Sequence, residues 1–576
     1  MSRSVFFKFS KPHIDNSSFY LKVQRVYVIY HITINYLLDI FFNTENNKQM
    51  NIGSLLPRHA RYRSKHLAFV IGEERLNFCE LNIRVNRLAN ALLAAGILKG
   101  QKMATVLPNC EELMLLYWAA AKTGIVIVPG SPLLKASGLT TLLHDSDTEI
   151  VFADASFAET LQSIKKDLPA IQNMNWILVG DGKRHSSGLT VSGFKSYADF
   201  ISGAKETEPP DAKIVDGDIY NIMYSSGTTG APKGIIHTHY VRANYCTHFA
   251  SAWRMSPESI VLHAGAIVFN GAMLDLMPWM YLGATYILHH SFDVGAVLKT
   301  IEEEKVTHIV MVPAQIMALL NHPEFMPEKL GSLEMLQNVG APLLLEYKHK
   351  LNEELPGIFY ELYGVTEGFF SVLDRDDALR KVGSVGSSPS FIDIRILREN
   401  GEECEPDEVG EICGRGPMMM PGYYKRPDLT KKTIVDGWLH SGDLGFIDED
   451  GFLFLVDRVK DMIISGGVNV YPKDIEEVII QHPAVSEVAI FGIPDEKWGE
   501  IPIAAVIFHK EQNVVEEDLK TWINQRVDAK FQPRSVRSPT GLRLRITAAE
   551  PTSASTASNE NTLKIIFDKN AGRKSN

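Results

Sequence analysis

No C-x-x-C pair occurs in the 576 residues; the five cysteines, Cys79, Cys110, Cys246, Cys404 and Cys413, are scattered. That spacing offers neither a disulfide framework nor a zinc site, and it fits a reducing cytoplasm. No G-x-x-x-x-G-K-[ST] can be read, so a Walker loop is excluded. Clean apolar runs of membrane-spanning length are missing too: the stretch from Val26 to Phe42 is broken by His31, Asn35 and Asp39. A secretory signal is absent from this end, because no basic start leads into an uninterrupted apolar core and a small-residue cleavage site. An interfacial membrane segment is the alternative for residues 1–49; membrane contact is otherwise not expected. No short-period repeat is present. Positive charge is also short: the net charge of −11 argues against a nucleic-acid partner. The ends, 1–49 and 533–576, carry +3 and +5, which leaves −19 for the middle.

What is present is enough chain for at least two domains with ample core, at a globular 45% hydrophobic and 22% charged content. Apolar Leu81, Val85, Leu88, Leu92 and Leu93 recur at helical spacing and Gly96 supplies a stop. Met103 to Leu107 reads as a strand, Glu111 to Lys122 as a helix, and Ile125 to Val128 as a buried strand ending at Pro129. Leu139 to His144 and Ile150 to Phe152 begin another such unit. Alternating helices and short apolar strands imply an α/β fold, a largely parallel sheet covered by helices.

The chain is organised around Tyr224 to Gly234, which packs hydroxyls, glycines and one lysine into eleven residues. Ser225, Ser226, Thr228 and Thr229 offer rotatable donors, and Gly227, Gly230 and Gly234 let backbone N–H groups turn inward. Lys233, after the stiff Pro232, adds a compact positive charge. That combination suits a polyphosphate. Ile219 to Met223 and Gly234 to Ile236 read as flanking strands, which makes the loop a hairpin-like clamp rather than a polar surface turn.

Downstream, Ile260 to Asn270 reads as a strand running into Phe269-Asn270-Gly271-Ala272. Ser332 to Val339 leads into Gly340-Ala341-Pro342, and Phe359 to Leu362 into Tyr363-Gly364-Val365-Thr366-Glu367-Gly368. Both are strand ends delivering loops to one site, beyond the carboxyl ends of the strands. His440 to Gly445 precedes the acidic run Asp448 to Asp450, which reads as a hairpin turn without calcium-loop spacing. A smaller α+β unit follows, with a helix opening at Pro472, strands at Val488 to Gly492 and Ile503 to Phe508, and a last helix marked by Leu519, Ile523 and Val527.

These motifs together resemble the adenylate-forming superfamily of acyl- and aryl-CoA synthetases, luciferases and peptide-synthetase adenylation domains. The similarity runs from about Met50 to Gln532. It implies a large N-terminal adenylation domain (50–457), a hinge (458–460) and a small C-terminal domain (461–532). By that resemblance Lys233 and the loop bind the phosphates of ATP, Gly340-Ala341-Pro342 lines the nucleotide site, and Tyr363 stacks on adenine. Thr366 contacts the α-phosphate, Glu367 holds Mg²⁺, and Asp443 and Arg458 contact the ribose. Lys460 is the hinge, and Ser465, Gly466 and Gly467 pass the pantetheine arm of coenzyme A. Phe269, Asn270 and Gly271 line the acyl pocket, where CoA ligases often carry His in place of Asn270. Asn there favours a hydroxylated aromatic acid and disfavours an amino acid; an Asn that simply caps the following helix is the other reading.

The implied activity is ATP-dependent activation of a fatty or aromatic carboxylic acid to an acyl-adenylate, then transfer to the thiol of coenzyme A. A separate carrier-protein thiol is the alternative acceptor. Family-like sequence begins at Asn51-Ile52-Gly53, so the expectation is that Met50 is the true start and residues 1–49 lie outside the family pattern. The passage 533–576 is atypical, rich in Arg, Ser, Thr and Pro through Asn561. The family's C-terminal lysine is not identifiable: Thr562-Leu563-Lys564 resembles the trailing part, but Glu560-Asn561 stands where Gly-Lys is expected. That departure predicts a crippled first half-reaction, unless a lysine such as Lys564 substitutes, and motivates a third reading, a nucleotide-binding protein without turnover.

Overall fold

The computed structural model describes residues 50–180, 192–225, 233–458, 461–465, 468–495, 499–509, 518–519, 521–523 and 546–548. Two parallel-cored sheets carry the large part of the chain. An eight-stranded sheet has the order Phe370–Leu373, Phe359–Gly364, Met335–Asn338, His308–Met311, Ile260–His263, Thr285–Leu288, Leu67–Ile71, Glu74–Asn77. Only its two outer pairings are antiparallel. A seven-stranded sheet runs Lys195–Ser196, Trp176–Val179, Thr148–Asp154, Lys102–Val106, Val126–Gly130, Ile219–Ser225, Lys233–Thr238, and closes on an antiparallel hairpin. The α/β class expected from the alternation of elements is therefore the architecture observed.

Helix Phe78–Ala94 starts on a capping box, with the Asn77 side chain accepting from Glu80 N and the Glu80 carboxylate accepting from Asn77 N. Helix Glu111–Thr123 is apolar nearly all round, and every residue from Leu113 to Thr123 is buried, as such a helix requires. Its one inward cation, Lys122, donates to Asn82, Asn86 and Glu208. Burying each large apolar side chain here contributes about 1.5–3 kcal/mol relative to leaving it in water.

A third sheet is antiparallel: Asp393–Leu397, Gly410–Arg415, Trp438–Ile447 and Ile434–Val435, with Leu453–Arg458 on Trp438–Ile447. Asp448 to Asp450 forms the expected hairpin turn between the last two long strands, with Lys381 bonded to Asp448 at 2.7 Å. The small unit pairs Val485–Asp495 with Gly499–Phe508 and adds Ile463–Ser465 and Val468–Val470. Helix Pro472–Ile479 covers it through buried Ile475, Val478 and Ile479, with Leu519 and Ile523 in the same core. Val527 lies outside the described residues. Ile546–Ala548 pairs in parallel with Ala504–Val506, beyond residue 532.

One expected element is shorter than its composition suggests. The strand that opens at Ile260 ends at His263, and Asn270 to Ala272 is a single 3-10 turn leading into helix Met273–Leu282. Ala264, Ile267 and Val268 in between are buried without belonging to the sheet. Their backbone is held instead by Asn109, whose Nδ2 donates to Gly265 O at 2.6 Å and whose Oδ1 accepts from Ile267 N at 3.0 Å.

Candidate active site

The hairpin Ile219–Ser225 / Lys233–Thr238 pairs Ser225 with Lys233 at its open end. Ser226, Gly227, Thr228, Thr229 and Gly230 lie outside the described residues, as does the side chain of Ser225. Lys233 is described, and its Nζ lies 5.6 Å from the centroid of the Tyr423 ring. Tyr423 reaches the hairpin through the backbone. Tyr424 N donates to Gly234 O at 2.7 Å and Ile236 N to Gly422 O at 3.2 Å. Three side chains of this segment are fastened beside the sheet: Tyr424 and Lys425 bond Asp147, and Arg426 bonds Asp145, which also accepts from Tyr224 of the hairpin.

The Tyr423 hydroxyl donates to Glu367 Oε1 at 2.8 Å. Burial, with the Glu367 charge adding to it, pushes that phenol up and keeps it a donor. Glu367 itself sits on the loop after strand Phe359–Gly364, and its carbonyl accepts from Met420 N at 2.7 Å. The close approach of Met419 there requires Gly368: at its φ of +146°, a Cβ would lie 2.3 Å from the Met419 Cα. Lys233, Tyr423 and Glu367 thus form one chain of contacts from the hairpin to this loop. Glu367 suits a hard divalent cation, because a carboxylate oxygen is the ligand such ions take.

Thr366 is positioned from behind. Its carbonyl accepts from His237 Nε2 at 2.8 Å, which puts the ring proton on Nε2 and leaves Nδ1 to accept from Arg242 Nη2 at 3.2 Å. Burial holds the His237 imidazole well below its ordinary range, so the ring is neutral.

On the other side of the same loop, the Tyr363 hydroxyl donates to Asp443 Oδ2 at 2.8 Å. Arg458 Nε lies 3.4 Å from Asp443 Oδ1, across a register pair of the third sheet. Burial raises the Asp443 carboxyl above the usual carboxylate range, against the pull of Tyr363 and Arg458. Asp443 stands in a bulge: Glu411 pairs with Leu444 but Cys413 pairs with His440, and Gly442 turns at φ +75°. Glu411 braces that bulge, Oε1 accepting from Gly442 N at 3.0 Å and Oε2 lying 2.8 Å from His440 Nδ1. Ser441 Oγ donates to Ile412 O and accepts from Asp443 N. Among the described residues, Glu411, Cys413 and His440 are also the one group of three side chains close enough to share a metal ion. Bracing the bulge already engages Glu411 and His440.

Gly340, Ala341 and Pro342 leave strand Met335–Asn338, the parallel neighbour of Phe359–Gly364, at the same end. Asn338 Nδ2 donates to Ala341 O at 2.9 Å and fixes that loop. Phe269 is 52% exposed, and a Cβ on Gly271 would meet nothing within 4 Å, so open space adjoins this turn. Asn270 is not a helix cap. Its Oδ1 accepts from Arg242 Nη2 at 2.9 Å and its Nδ2 donates to Tyr245 Oη at 3.2 Å. Lys460, Gly466 and Gly467 lie outside the described residues; Ser465 is described by its backbone, which pairs with Val468 and Gly499.

The structure therefore brings Lys233, Thr366, Glu367, Tyr363, Asp443 and Arg458 around one loop, with Asn270 reached through Arg242 and His237. Tyr423, Glu411, His237 and Arg242 were not picked out from the sequence. Each acts through a partner far along the chain, and the sequence carries no local signal for such a contact.

The model of the AMP-binding enzyme family matches residues 56–424, and that of the AMP-binding enzyme C-terminal domain matches 474–544. A feruloyl-CoA synthase of an Amycolatopsis species is 34% identical over 494 residues, 85% of this chain and 95% of that protein. The long-chain-fatty-acid–CoA ligase FadD13 of Mycobacterium tuberculosis is 33% identical over 520 residues, 88% and 99% of the two chains. Among solved structures, o-succinylbenzoate CoA synthetase of Bacillus subtilis in complex with its acyl-adenylate intermediate superposes with a TM-score of 0.75 at 27% identity. That match covers 88% of this chain and 97% of the other.

Proposed function

This chain belongs to the family of AMP-binding enzymes, and on that premise we propose which of its residues carry the reaction. It is an AMP-forming acid–thiol ligase: it activates a small-molecule carboxylic acid with ATP and transfers the acyl group to coenzyme A. A carboxylate resists nucleophiles because of its charge and lacks a leaving group. Attack of its oxygen on the α-phosphorus of ATP expels pyrophosphate and converts the acid to an acyl-adenylate, whose leaving group is AMP. The thiol of coenzyme A then attacks the acyl carbon, AMP departs, and the thiol proton goes to solvent.

Positioning and charge stabilisation do most of the work in the first step. Lys233 and the hydroxyl- and glycine-rich loop before it bind the phosphates. Thr366 donates to the α-phosphate, and His237 fixes its backbone for that task. Glu367, oriented by Tyr423, would hold Mg²⁺, which supplies charge neutralisation to the departing pyrophosphate. Tyr363 packs on the adenine with its ring orientation set by Asp443, and Asp443 with Arg458 takes the ribose. The acid lies against Phe269, Asn270 and Gly271. Residues 458–460 form the hinge between a large domain (50–457) and a small one (461–532), and Ser465 to Gly467 passes the pantetheine arm. Among the described residues no helix is long and apolar enough to cross a membrane; a cytoplasmic location is inferred from the cysteine pattern.

The observation that carries this reading is the contact chain Lys233–Tyr423–Glu367 beside Tyr363–Asp443–Arg458, two sets converging on one loop. The test is AMP release from Mg-ATP and coenzyme A over a panel of fatty and aromatic acids. Acid-dependent release supports the assignment and names the acid class. Adenylate formation that consumes no coenzyme A points to a carrier-protein acceptor instead. ATP binding without acid-dependent AMP supports the alternative reading without turnover, which Glu560-Asn561 in place of Gly-Lys motivates.

A further inference from the structure

Arg242, on helix His239–Ala252, is fully buried. Its Nε donates to Asn221 Oδ1 at 3.0 Å and its Nη2 to Asn270 Oδ1 and His237 Nδ1. Its guanidinium carbon lies 4.6 Å from the centroid of the Tyr245 ring. All four partners are neutral, His237 included. Among the described residues no carboxylate pairs with it, and Nη1 has no hydrogen-bond partner. Burial lowers the guanidinium's proton affinity, yet arginine keeps its charge in proteins. A buried cation without a counter-charge is costly, and a fold meets that cost where an anion completes the site.

Because arginine can only donate, it forces the Asn270 amide oxygen inward. Nδ2 is therefore the end left to donate, with one N–H on Tyr245 and the other available to a ligand. The half-buried Asn270 stands between exposed Phe269 and the open space at Gly271. That wall offers donors backed by a positive charge.

We propose that Arg242 is a specificity-determining residue that selects acids carrying a second anionic oxygen, a distal carboxylate or an ionised phenol, remote from the carboxyl that is activated. The inference rests on the reading of Phe269 to Gly271 as the acyl pocket. Through Asn270 and its own buried charge, Arg242 favours an acceptor there and opposes a purely apolar tail.

The experiment compares matched pairs of acids: a diacid against its monomethyl ester, and a ring acid with an acidic phenol against its methyl ether. kcat/KM is taken from AMP release for the native chain, R242M and R242K, with melting temperature checked for each. The native enzyme should prefer the anionic member of at least one pair by about tenfold or more, in the range that polar pockets achieve. The pair that shows it tells a carboxylate from a phenolate. In R242M that ratio should fall to about one or invert, mainly through KM for the anionic acid, while any effect passed through His237 to Thr366 falls equally on both members of a pair; R242K should keep part of the ratio. A native ratio near or below one, or an equal loss on both members in R242M, overturns the proposal. If R242M does not fold, the native and R242K ratios decide. AMP release without discrimination removes this inference alone, whereas no acid-dependent release with any acid removes the ligase reading and this inference with it.

Discussion

Replacing Glu411 by alanine removes two contacts at once, the acceptor for Gly442 N–H and the partner of the His440 ring. Gly442 turns at φ +75° and precedes Asp443, so the loss falls on the bulge that presents the proposed ribose ligand. A hydrogen bond to a charged group contributes about 1.5–3 kcal/mol net. At ~1.4 kcal/mol per factor of ten, E411A should raise the Kd for AMP and the KM for ATP by roughly 10- to 100-fold. kcat at saturating ATP should change by less than about threefold, because uniform binding is lost rather than transition-state stabilisation. E411Q separates geometry from charge. The amide oxygen still accepts from Gly442, so binding near neutral pH should hold, while a negative charge that helps to raise the Asp443 carboxyl is gone. Asp443 then stays ionised to lower pH, and nucleotide binding in E411Q should fade at lower pH than in the native enzyme. Calorimetric titration of AMP from neutral pH down toward the ordinary carboxylate range reads both effects. A double-mutant cycle with D443A is decisive: if Glu411 acts through Asp443, E411A should cost little once Asp443 is absent. Additive losses in the cycle, or a fall in kcat with unchanged KM for ATP, would refute the positioning role.

Removing the Tyr423 hydroxyl in Y423F should lower kcat by roughly tenfold and raise the Mg²⁺ concentration for half-maximal activity, since Glu367 loses a charge-assisted bond; an unchanged Mg²⁺ titration would remove Tyr423 from the site. Lys348 and Glu361 form a buried ion pair, at 3% and 1% exposure, and K348M strands the carboxylate with Asn338. The urea midpoint should fall by the equivalent of about 3–5 kcal/mol, and K348M/E361L should recover most of it. His239 is fully buried with neither ring nitrogen bonded, and burial pushes its pKa down to about 4 from 6.5. Below pH 6.5 the unfolded chain binds a proton that the folded chain refuses. Its contribution is therefore complete above pH 6.5 and lost as the pH falls toward 4, about 3 kcal/mol in all; stability of H239F should show a pH dependence flatter by that amount.

The parts of the site that were legible in the sequence are those whose chemistry is local. Tyr363, Thr366 and Glu367 lie within five residues at one strand end, a contiguous motif on which the family resemblance, and the roles it implies, could be placed. The hairpin around Lys233 was legible for the same reason, because β-branched and apolar runs flank a loop of small hydroxyl residues. Periodicity showed the alternation from Leu81 to Phe152, with boundaries off by up to three residues, and it implied one sheet where there are two; strands such as Thr285–Leu288 and His308–Met311 were not read from it. The stretch after His263 misled because Ala264, Ile267 and Val268 are buried without pairing in the sheet. What satisfies its backbone is the Asn109 side chain, 158 residues away from Ile267 in the chain. No periodicity rule sees such a bond.

The residues that were missed share that property. Tyr423 meets Glu367 across 56 positions, Glu411 meets Gly442 across 31, and Arg242 meets Asn270 across 28. Each of them holds another residue in place, so its identity makes sense only once the sheets have set the distance between the partners. Asn270 shows why this matters for specificity. From the sequence, its amide could cap the following helix or hydrogen-bond a polar ring substituent of the acid. The structure answers the first question directly, since both amide ends are engaged by Arg242 and Tyr245 and neither caps Met273–Leu282. The orientation then follows from the donor-only chemistry of arginine. If Asn270 lines the acyl pocket as proposed, its amide meets the acid as a donor rather than an acceptor.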